Sequence, residues 1–360
     1  MVLDTALTRL LGISNPLILA PMGGGPTTTD LVVAVCEAGG LGFLAGAYLT
    51  PLEIAEQAAQ IRGRTSRPFG INLFAPVPSP GLPAAIAAAL ELLEPIHAEL
   101  GIAPPVAPVL PAYTFEEQLQ AVLDSNADVF SFTFGIPVAN DLARMRARRK
   151  LVFGTATTVR EAVLLEQAGV DAVVAQGSEA GAHRGTFAVS FSAGMVGSIA
   201  LLPQVVDALS VPVIASGGIM DGRGLAAALV LGAQAAQMGT AFLACDEAGT
   251  SRPYREALRT AREDETRTTT AFSGRPARGI GNAFMDAADA NPDAILPYPW
   301  QNALTRPMRT AAAAADNARY LSLWAGQGLP LARSEPAAEI VARVIAEAAA
   351  LLMAGWARPS

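Results

Sequence analysis

The chain has 360 residues, which is enough for two average domains or for one large α/β barrel with additions. It is 51% hydrophobic and 16% charged, a composition typical of a protein with a large sheet covered on both faces. The net charge of −7 argues against a basic surface that binds nucleic acid.

Cysteine content and hydropathy restrict the cellular setting. Cys36 and Cys245 are too few for a disulfide framework, so a reducing cytoplasm is the simplest setting. Polar residues interrupt the amino terminus, which therefore does not resemble a secretion signal. The most apolar late segment, Val341 to Trp356, contains Arg343 and Glu347 and is too short to span a bilayer. We expect a cytoplasmic protein that does not enter a membrane.

Short apolar runs alternate with helical segments along the first 240 residues. The predicted strands are Pro16–Ala20, Leu41–Ala45, Phe69–Phe74, Asp128–Phe134, Leu151–Phe153, Asp171–Val174, Pro212–Ala215 and Ala235–Met238. Helix starts between them are marked by Pro51 in a first turn, by Thr114 with Glu117 as a capping box, and by the capping residue Asp221. This alternation indicates a parallel sheet, and eight βα units close a barrel in about 250 residues. We therefore predict a (β/α)₈ TIM barrel in preference to an open doubly wound sheet.

The character of the sequence changes after residue 244, where the regular alternation stops. Residues 1–244 are predicted to form the barrel. Residues 245–309 are more polar and are predicted to form a small, mainly helical subdomain over the barrel mouth. Residues 310–360 are predicted to be closing helices packed on the barrel.

A glycine-rich loop after the sixth predicted strand carries His183, one of two histidines in the chain. Imidazole titrates near neutrality, so His183 is the candidate for acid–base catalysis, with Glu179 to orient it and Arg184 to bind an anionic substrate. The alternative is structural: the imidazole bonds a backbone carbonyl, and Arg184 pairs with a surface carboxylate. The other histidine, His97, is predicted to lie on a helix surface. One loop histidine without a second histidine or a thiolate nearby cannot form a usual zinc site, so we expect no metal.

Glycines follow the seventh and eighth predicted strands, as Ser216-Gly217-Gly218 and Gly239-Thr240. Barrel enzymes often bind phosphate with these two loops, where glycine lets the backbone N–H groups approach the anion. The alternative is that these glycines only form tight turns. Because the two glycine sites follow the two appropriate strands, we predict a phosphate site here.

A phosphate at that corner would direct an attached aromatic ring toward the barrel axis. Candidate ring contacts are Pro21, Met22 and Gly23 after the first strand, Asn72 in the third, and Gln176 after the sixth. Flavin mononucleotide (FMN) has one phosphate and one large flat ring with polar edges, and it suits this arrangement. The Gly-x-Gly-x-x-Gly turn of dinucleotide sites is not found.

Several longer motifs occur together along the chain. They are Ala20-Pro21-Met22-Gly23-Gly24, Gly39-Gly40-Leu41-Gly42, the loop 175–185, Ser216-Gly217-Gly218-Ile219, Gln237-Met238-Gly239-Thr240, the segment 272–281, Tyr298-Pro299-Trp300-Gln301-Asn302 and Trp324-Ala325-Gly326-Gln327-Gly328. In this combination the chain resembles, over nearly its whole length, the nitronate monooxygenases, formerly called 2-nitropropane dioxygenases, and in particular their bacterial class I form.

The resemblance implies a barrel that binds FMN non-covalently and uses His183 as the catalytic base. The flavin contacts that it implies are Met22, Asn72, Gln176, Gly181, Gly218, Gln237, Met238, Gly239 and Thr240. Tyr298 and Arg184 are the candidate substrate contacts. One departure is Ala182, which stands where the family usually has the second of two glycines before the histidine.

The implied reaction is the oxidation of an alkyl nitronate, such as propionate 3-nitronate, by FMN and O₂ through a flavin semiquinone. Its products are a carbonyl compound and nitrite, and His183 would first deprotonate a neutral nitroalkane. One alternative is a flavin-dependent enoyl-acyl-carrier-protein reductase, which has a similar histidine loop and uses NAD(P)H. Another is a flavin-binding protein without turnover of its own. The partners we expect are small molecules, and a homodimer is one allowed oligomeric state.

Overall fold

The structure is a computed structural model that describes residues 3–77, 80–83 and 86–354. The last part of the predicted closing segment, 355–360, lies outside the described residues. In chain order the described strands are β1 Leu17–Leu19, β2 Gly42–Ala45, β3 Phe69–Phe74, β4 Val129–Thr133, β5 Leu151–Ala156, β6 Ala172–Gln176, β7 Ala182–His183, β8 Val213–Ser216, β9 Ala235–Met238, β10 Thr266–Thr269 and β11 Ala277–Ile280.

Eight of these strands form the parallel barrel that the sequence predicts. They are hydrogen-bonded in the order β1-β9-β8-β6-β5-β4-β3-β2. The ring closes between β1 and the residue before β2, because Ile18 bridges Leu41 in parallel. The prediction of a TIM barrel is confirmed, and all eight predicted strands are present in it.

Alternate residues of the barrel strands point to two different cores. Inward-facing side chains such as Ile18, Phe43 and Phe153 fill the barrel with Leu7 of the first helix, whereas their neighbours pack against the outer helices. Gly70 leaves room for Phe43, whose ring would lie 2.2 Å from a Cβ at that position. Because both faces are buried, the strands appear in the sequence as unbroken apolar runs.

Helices follow the strands, and the three helix starts predicted at Pro51, Thr114 and Asp221 are present. The described α-helices are α1 Ala6–Leu11, α2 Thr29–Glu37, α3 Pro51–Arg62, α4 Ala87–Glu99, α5 Phe115–Asp124, α6 Ala139–Ala147, α7 Val159–Ala168, α8 Ser198–Ala208, α9 Gly222–Val230, α10 Arg252–Thr260, α11 Ala283–Ala290, α12 Trp300–Ala314 and α13 Ala337–Met353. Thr50 and Thr114 each form a capping box at the start of their helix. No helix among the described residues is long and apolar enough to cross a membrane.

The segment after the barrel contains a β-hairpin that the sequence analysis did not anticipate. Strands β10 and β11 pair antiparallel, and β11 also pairs with β7 in the loop that carries His183. The opposed residues are Ala277 with His183 and Arg278 with Ala182. Helix α12 continues across the predicted boundary at residue 309, and α13 packs on α9 and α2 of the barrel. The hairpin thus joins the added segment to the barrel at the histidine loop.

Candidate active site

A cavity of about 1030 Å³ opens at the carboxyl ends of the barrel strands. Most of the residues predicted for the site line it, and they are Pro21, Met22, Gly23, Asn72, Gln176, Gly181, His183, Ser216, Gly217, Gly218, Gln237, Gly239 and Thr240. Three predicted residues do not. Met238 is buried in the core, Tyr298 packs 6.0 Å from the ring of Phe134, and Arg184 lies inside the histidine loop.

One corner of the cavity, after β8 and β9, has the features of an anion site. Gly217 and Gly218 both have positive φ values, 108° and 74°, which favour glycine. Within the described part of the chain, the N–H groups of Gly217, Gly218 and Gly239 have no hydrogen-bond acceptor. The hydroxyl of Thr240 accepts a bond from Gly326 N at 3.0 Å, so its proton is available to a ligand. These groups can bind a phosphate.

A second part of the cavity wall suits a flat ring. A Cβ at Gly23 would lie 3.2 Å from the ring of Tyr48, and one at Gly239 would lie 3.6 Å from the sulfur of Met22. Asn72 is buried at the side of this space and donates to Ser131 Oγ at 2.8 Å. The residues present therefore fit an aromatic ring that carries a phosphate. No cluster of three or more His, Cys, Asp or Glu side chains that could hold a metal ion occurs among the described residues.

The backbone of the histidine loop is held from both sides. On the barrel side, Gln176 Nε2 donates to His183 O at 3.0 Å, and Gln176 Oε1 accepts from Gly185 N at 2.8 Å. On the other side, β11 pairs with Ala182 and His183. Ala182 has a φ of 60°, in the left-handed region that alanine adopts only at a cost. The loop conformation thus depends on tertiary contacts.

Aromatic rings enclose the His183 imidazole on several sides. The ring centroids of Phe134, Trp324 and Phe74 lie 5.5, 5.8 and 6.1 Å from that of His183. His183 Nε2 lies 2.8 Å from Ser273 Oγ, a contact with the turn between β10 and β11. The ring is therefore packed on its sides and hydrogen-bonded at one nitrogen.

Burial and nearby cations keep this imidazole neutral. Burial, then Arg275 and Arg309, lower the pKa of His183 from 6.5 to about 3. Arg275 stacks 3.9 Å from the centroid of Phe134, the ring that also packs on the imidazole. As the pH falls from 6.5 to about 3, the unfolded chain takes up a proton that the folded chain does not, so His183 destabilises the fold in that window.

The structure corrects three expectations about charged and titratable side chains. Arg184 is 2% exposed and donates to the carbonyls of Gln176 and Gly177 at 2.9 and 2.6 Å, so it contacts neither the cavity nor a surface carboxylate. Glu179 accepts from Ser198 N at 2.9 Å, at the start of α8, and does not orient His183. His97 is buried, with Nδ1 2.6 Å from Ala103 O, and does not lie on a helix surface.

Helix α12 contributes cavity residues that the sequence analysis missed. Asn302, Arg306 and Arg309 line the cavity at a spacing of i, i+4 and i+7, which places them on one helix face. Arg309 Nη2 donates to Asn302 Oδ1 at 2.9 Å, and its Nε is buried with no partner among the described residues. Burial lowers the pKa of Arg309 to about 10, so it remains a cation. No described carboxylate forms an ion pair with either arginine. The helical spacing of these three polar residues is the sequence signal that could have identified them.

The family profile and the curated sequence relatives indicate the same family. The profile of the nitronate monooxygenase family matches residues 4–347. A probable nitronate monooxygenase of Staphylococcus saprophyticus is 39% identical over 350 residues, which cover 97% of this chain and 98% of that protein. The solved structure of a nitroalkane oxidase from Streptomyces ansochromogenes is 41% identical, with a TM-score of 0.89, and covers 98% of this chain and 100% of its own. FabK from Thermotoga maritima is 27% identical, with a TM-score of 0.75 and 96% coverage of both chains.

Replacing Ala182 by glycine should stabilise the protein. Glycine accepts a φ of 60° without steric cost, so we expect Ala182→Gly to raise the free energy of unfolding by roughly 1 kcal/mol. Urea unfolding measures this change. Ala188→Gly in the same loop is the matched control, because Ala188 has no positive φ, and it should lower stability. Equal destabilisation by both variants would contradict the account of Ala182.

Proposed function

The chain belongs to the nitronate monooxygenase family, and from that premise we propose that it oxidises alkyl nitronates with FMN and O₂ to a carbonyl compound and nitrite. The family is flavin-dependent, consists of oxidoreductases and acts on small molecules. The observation that carries the proposal is that one cavity combines an anion-binding corner, a neutral imidazole and arginines that have no carboxylate partner among the described residues.

The cofactor that fits the cavity is FMN. The backbone of Gly217, Gly218 and Gly239, with the hydroxyl of Thr240, would hold its phosphate. Residues of the part of the cavity wall that suits a flat ring, such as Met22 and Asn72, together with Gln176 and Gly181, would contact the flavin ring. When bound, FMN supplies the electron-transfer chemistry that connects the substrate to O₂.

Side chains of the cavity account for recognition of an anionic substrate. Arg306 and Arg309 line the wall without carboxylate partners among the described residues, so they can pair with an anion. Propionate 3-nitronate has two anionic ends, a carboxylate and a nitronate. We propose that α12 binds the carboxylate while the nitronate lies near His183.

His183 would remove the α-proton when the substrate is a neutral nitroalkane. Its imidazole is uncharged and can accept a proton, which leaves the electron pair on the substrate as a nitronate. The lowered pKa makes it a weaker base than free imidazole, so the transfer depends on stabilisation of the nitronate anion in the same step. Arg275 and Arg309, whose charges disfavour an imidazolium ion, favour the new anion. Phe74, Phe134 and Trp324 shield the ring from bulk water.

Oxygen uptake tests the proposed function directly. The FMN-loaded protein should consume O₂ and release nitrite with propionate 3-nitronate, without added NADH. The rival reductase activity predicts the opposite pattern under anaerobic conditions, in which NADH bleaches the flavin quickly while nitronate leaves it unchanged. That pattern would reject the proposal.

Replacing the proposed base should separate neutral from ionised substrates. We expect His183→Asn to lower kcat/KM for nitroethane by roughly 10²- to 10⁴-fold, because general-base catalysis is lost, and to change kcat/KM for ethyl nitronate only a few-fold. His97→Asn, the only other histidine, is the matched control and should leave the ratio of the two values unchanged. Equal losses on both substrates in His183→Asn would refute the base assignment.

Replacing Arg306 should affect only substrates with a carboxylate. The side chain is exposed at the cavity wall, and we expect Arg306→Met to raise the KM for propionate 3-nitronate about fivefold, the equivalent of about 1 kcal/mol. The KM for ethyl nitronate should stay constant. Arg160→Met, at an exposed helical arginine that does not line the cavity, is the matched control. An equal rise for both nitronates would remove the carboxylate role from Arg306.

A further inference from the structure

The hydroxyl of Ser273, beside the His183 ring, has three hydrogen-bonding neighbours. Ser273 is 2% exposed, in the turn between β10 and β11. Its Oγ lies 2.8 Å from His183 Nε2, 3.0 Å from Arg275 O and 3.2 Å from Arg275 N. Arg275 N can only donate to this oxygen, and Arg275 O can only accept from it.

The single proton of this hydroxyl decides how the imidazole is protonated. Arg275 O has no other donor among the described residues, so it would be left unpaired if Ser273 donated to the imidazole. The neutral imidazole carries a proton of its own. All three neighbours are satisfied only when His183 Nε2–H donates to Oγ and the hydroxyl donates to Arg275 O.

We infer that Ser273 is a positioning residue that fixes His183 as the Nε2–H tautomer and leaves Nδ1 as the proton-accepting atom. Nδ1 has no hydrogen-bond partner among the described residues. Nδ1 is also not among the buried side-chain atoms that lack a partner, so it is not fully buried, and His183 is one of the residues that line the cavity. The tautomer rests on these hydrogen bonds and on the neutral charge of the ring, whereas its catalytic consequence rests on the proposed function.

The proton balance of the step is simple in this arrangement. The α-carbon–hydrogen bond of a nitroalkane breaks, a bond from that hydrogen to Nδ1 forms, and the electron pair stays on the nitronate. Nε2–H remains bonded to Ser273 throughout, so no proton passes through the serine. The imidazolium later returns the proton from Nδ1 to water in the cavity.

The added segment, and not the barrel, therefore selects the tautomer. The aromatic rings of Phe74, Phe134 and Trp324 restrict the orientation of the imidazole but cannot distinguish its two protonation forms. Ser273 can, because its own proton is committed to Arg275. The oxygen that does this belongs to the β10–β11 turn, which β11 places beside His183 by pairing with β7.

Nitrogen NMR of the FMN-loaded protein tests the tautomer. The chain has only two histidines, so two-bond ¹H–¹⁵N spectra of ¹⁵N-histidine-labelled protein contain two imidazoles, and His97→Asn assigns them. We expect a protonated Nε2 and an unprotonated Nδ1 for His183. In Ser273→Ala both shifts should move toward values of a tautomer mixture, and Ser273→Thr, which keeps the hydroxyl, should restore the pattern. A protonated Nδ1, or an unchanged spectrum in Ser273→Ala, would overturn the inference.

Kinetics test the catalytic consequence separately. Ser273→Ala should lower kcat/KM for nitroethane by about tenfold, a part of the general-base contribution, with little change for ethyl nitronate. Ser273→Thr should recover most of the loss. A shifted tautomer with unchanged nitroethane kinetics would reject the link between the serine and catalysis. Failure of the wild-type protein to oxidise any nitronate would reject the proposed function. The NMR experiment would still decide the tautomer of His183, because it does not depend on activity.

Discussion

The pairing of β7 with β11 is the interaction on which the candidate site depends. It joins two residues of the histidine loop, Ala182 and His183, to a hairpin that begins more than eighty residues later in the chain. The barrel side of the same loop is held by Gln176, whose amide bonds both His183 O and Gly185 N. The imidazole therefore lies at the junction between barrel and added segment. A strained φ at Ala182 persists there because contacts on both sides determine the backbone.

Positive charge is the second organising feature of the site. Arg275 and Arg309 both lower the pKa of His183, and burial has a larger effect than either. A neutral imidazole and an excess of cations favour an anion in the cavity, which is the charge of a nitronate. The cations come from the turn after β10 and from α12, and the barrel itself contributes the neutral amides and glycines. In the proposed function, the barrel holds the cofactor and the added segment sets the electrostatics around the base.

The strands and the glycine loops could be predicted from the sequence, for different physical reasons. Strands of a closed parallel barrel are buried on both faces, so they appear as apolar runs, and every predicted one is present. Glycines that need positive φ, such as Gly217 and Gly218, are marked by their identity alone. The hairpin could not be predicted, because Thr266–Thr269 and Ala277–Ile280 are short strands and the first is polar throughout. Arg184 was misjudged because a buried arginine that bonds carbonyls has the same sequence signature as one that binds a ligand.

The sequence by itself determined the barrel, the order of its strands and the residue types that line its carboxyl end, because each depends on local hydrophobicity, capping or backbone freedom. The tertiary structure alone decided which polar groups meet. It placed Ser273 on the His183 ring, Arg309 within electrostatic reach of it, and Glu179 on α8 instead. These contacts link segments far apart in the chain, and a hydrogen bond or a pKa shift acts over a few ångströms that no local pattern of residues encodes.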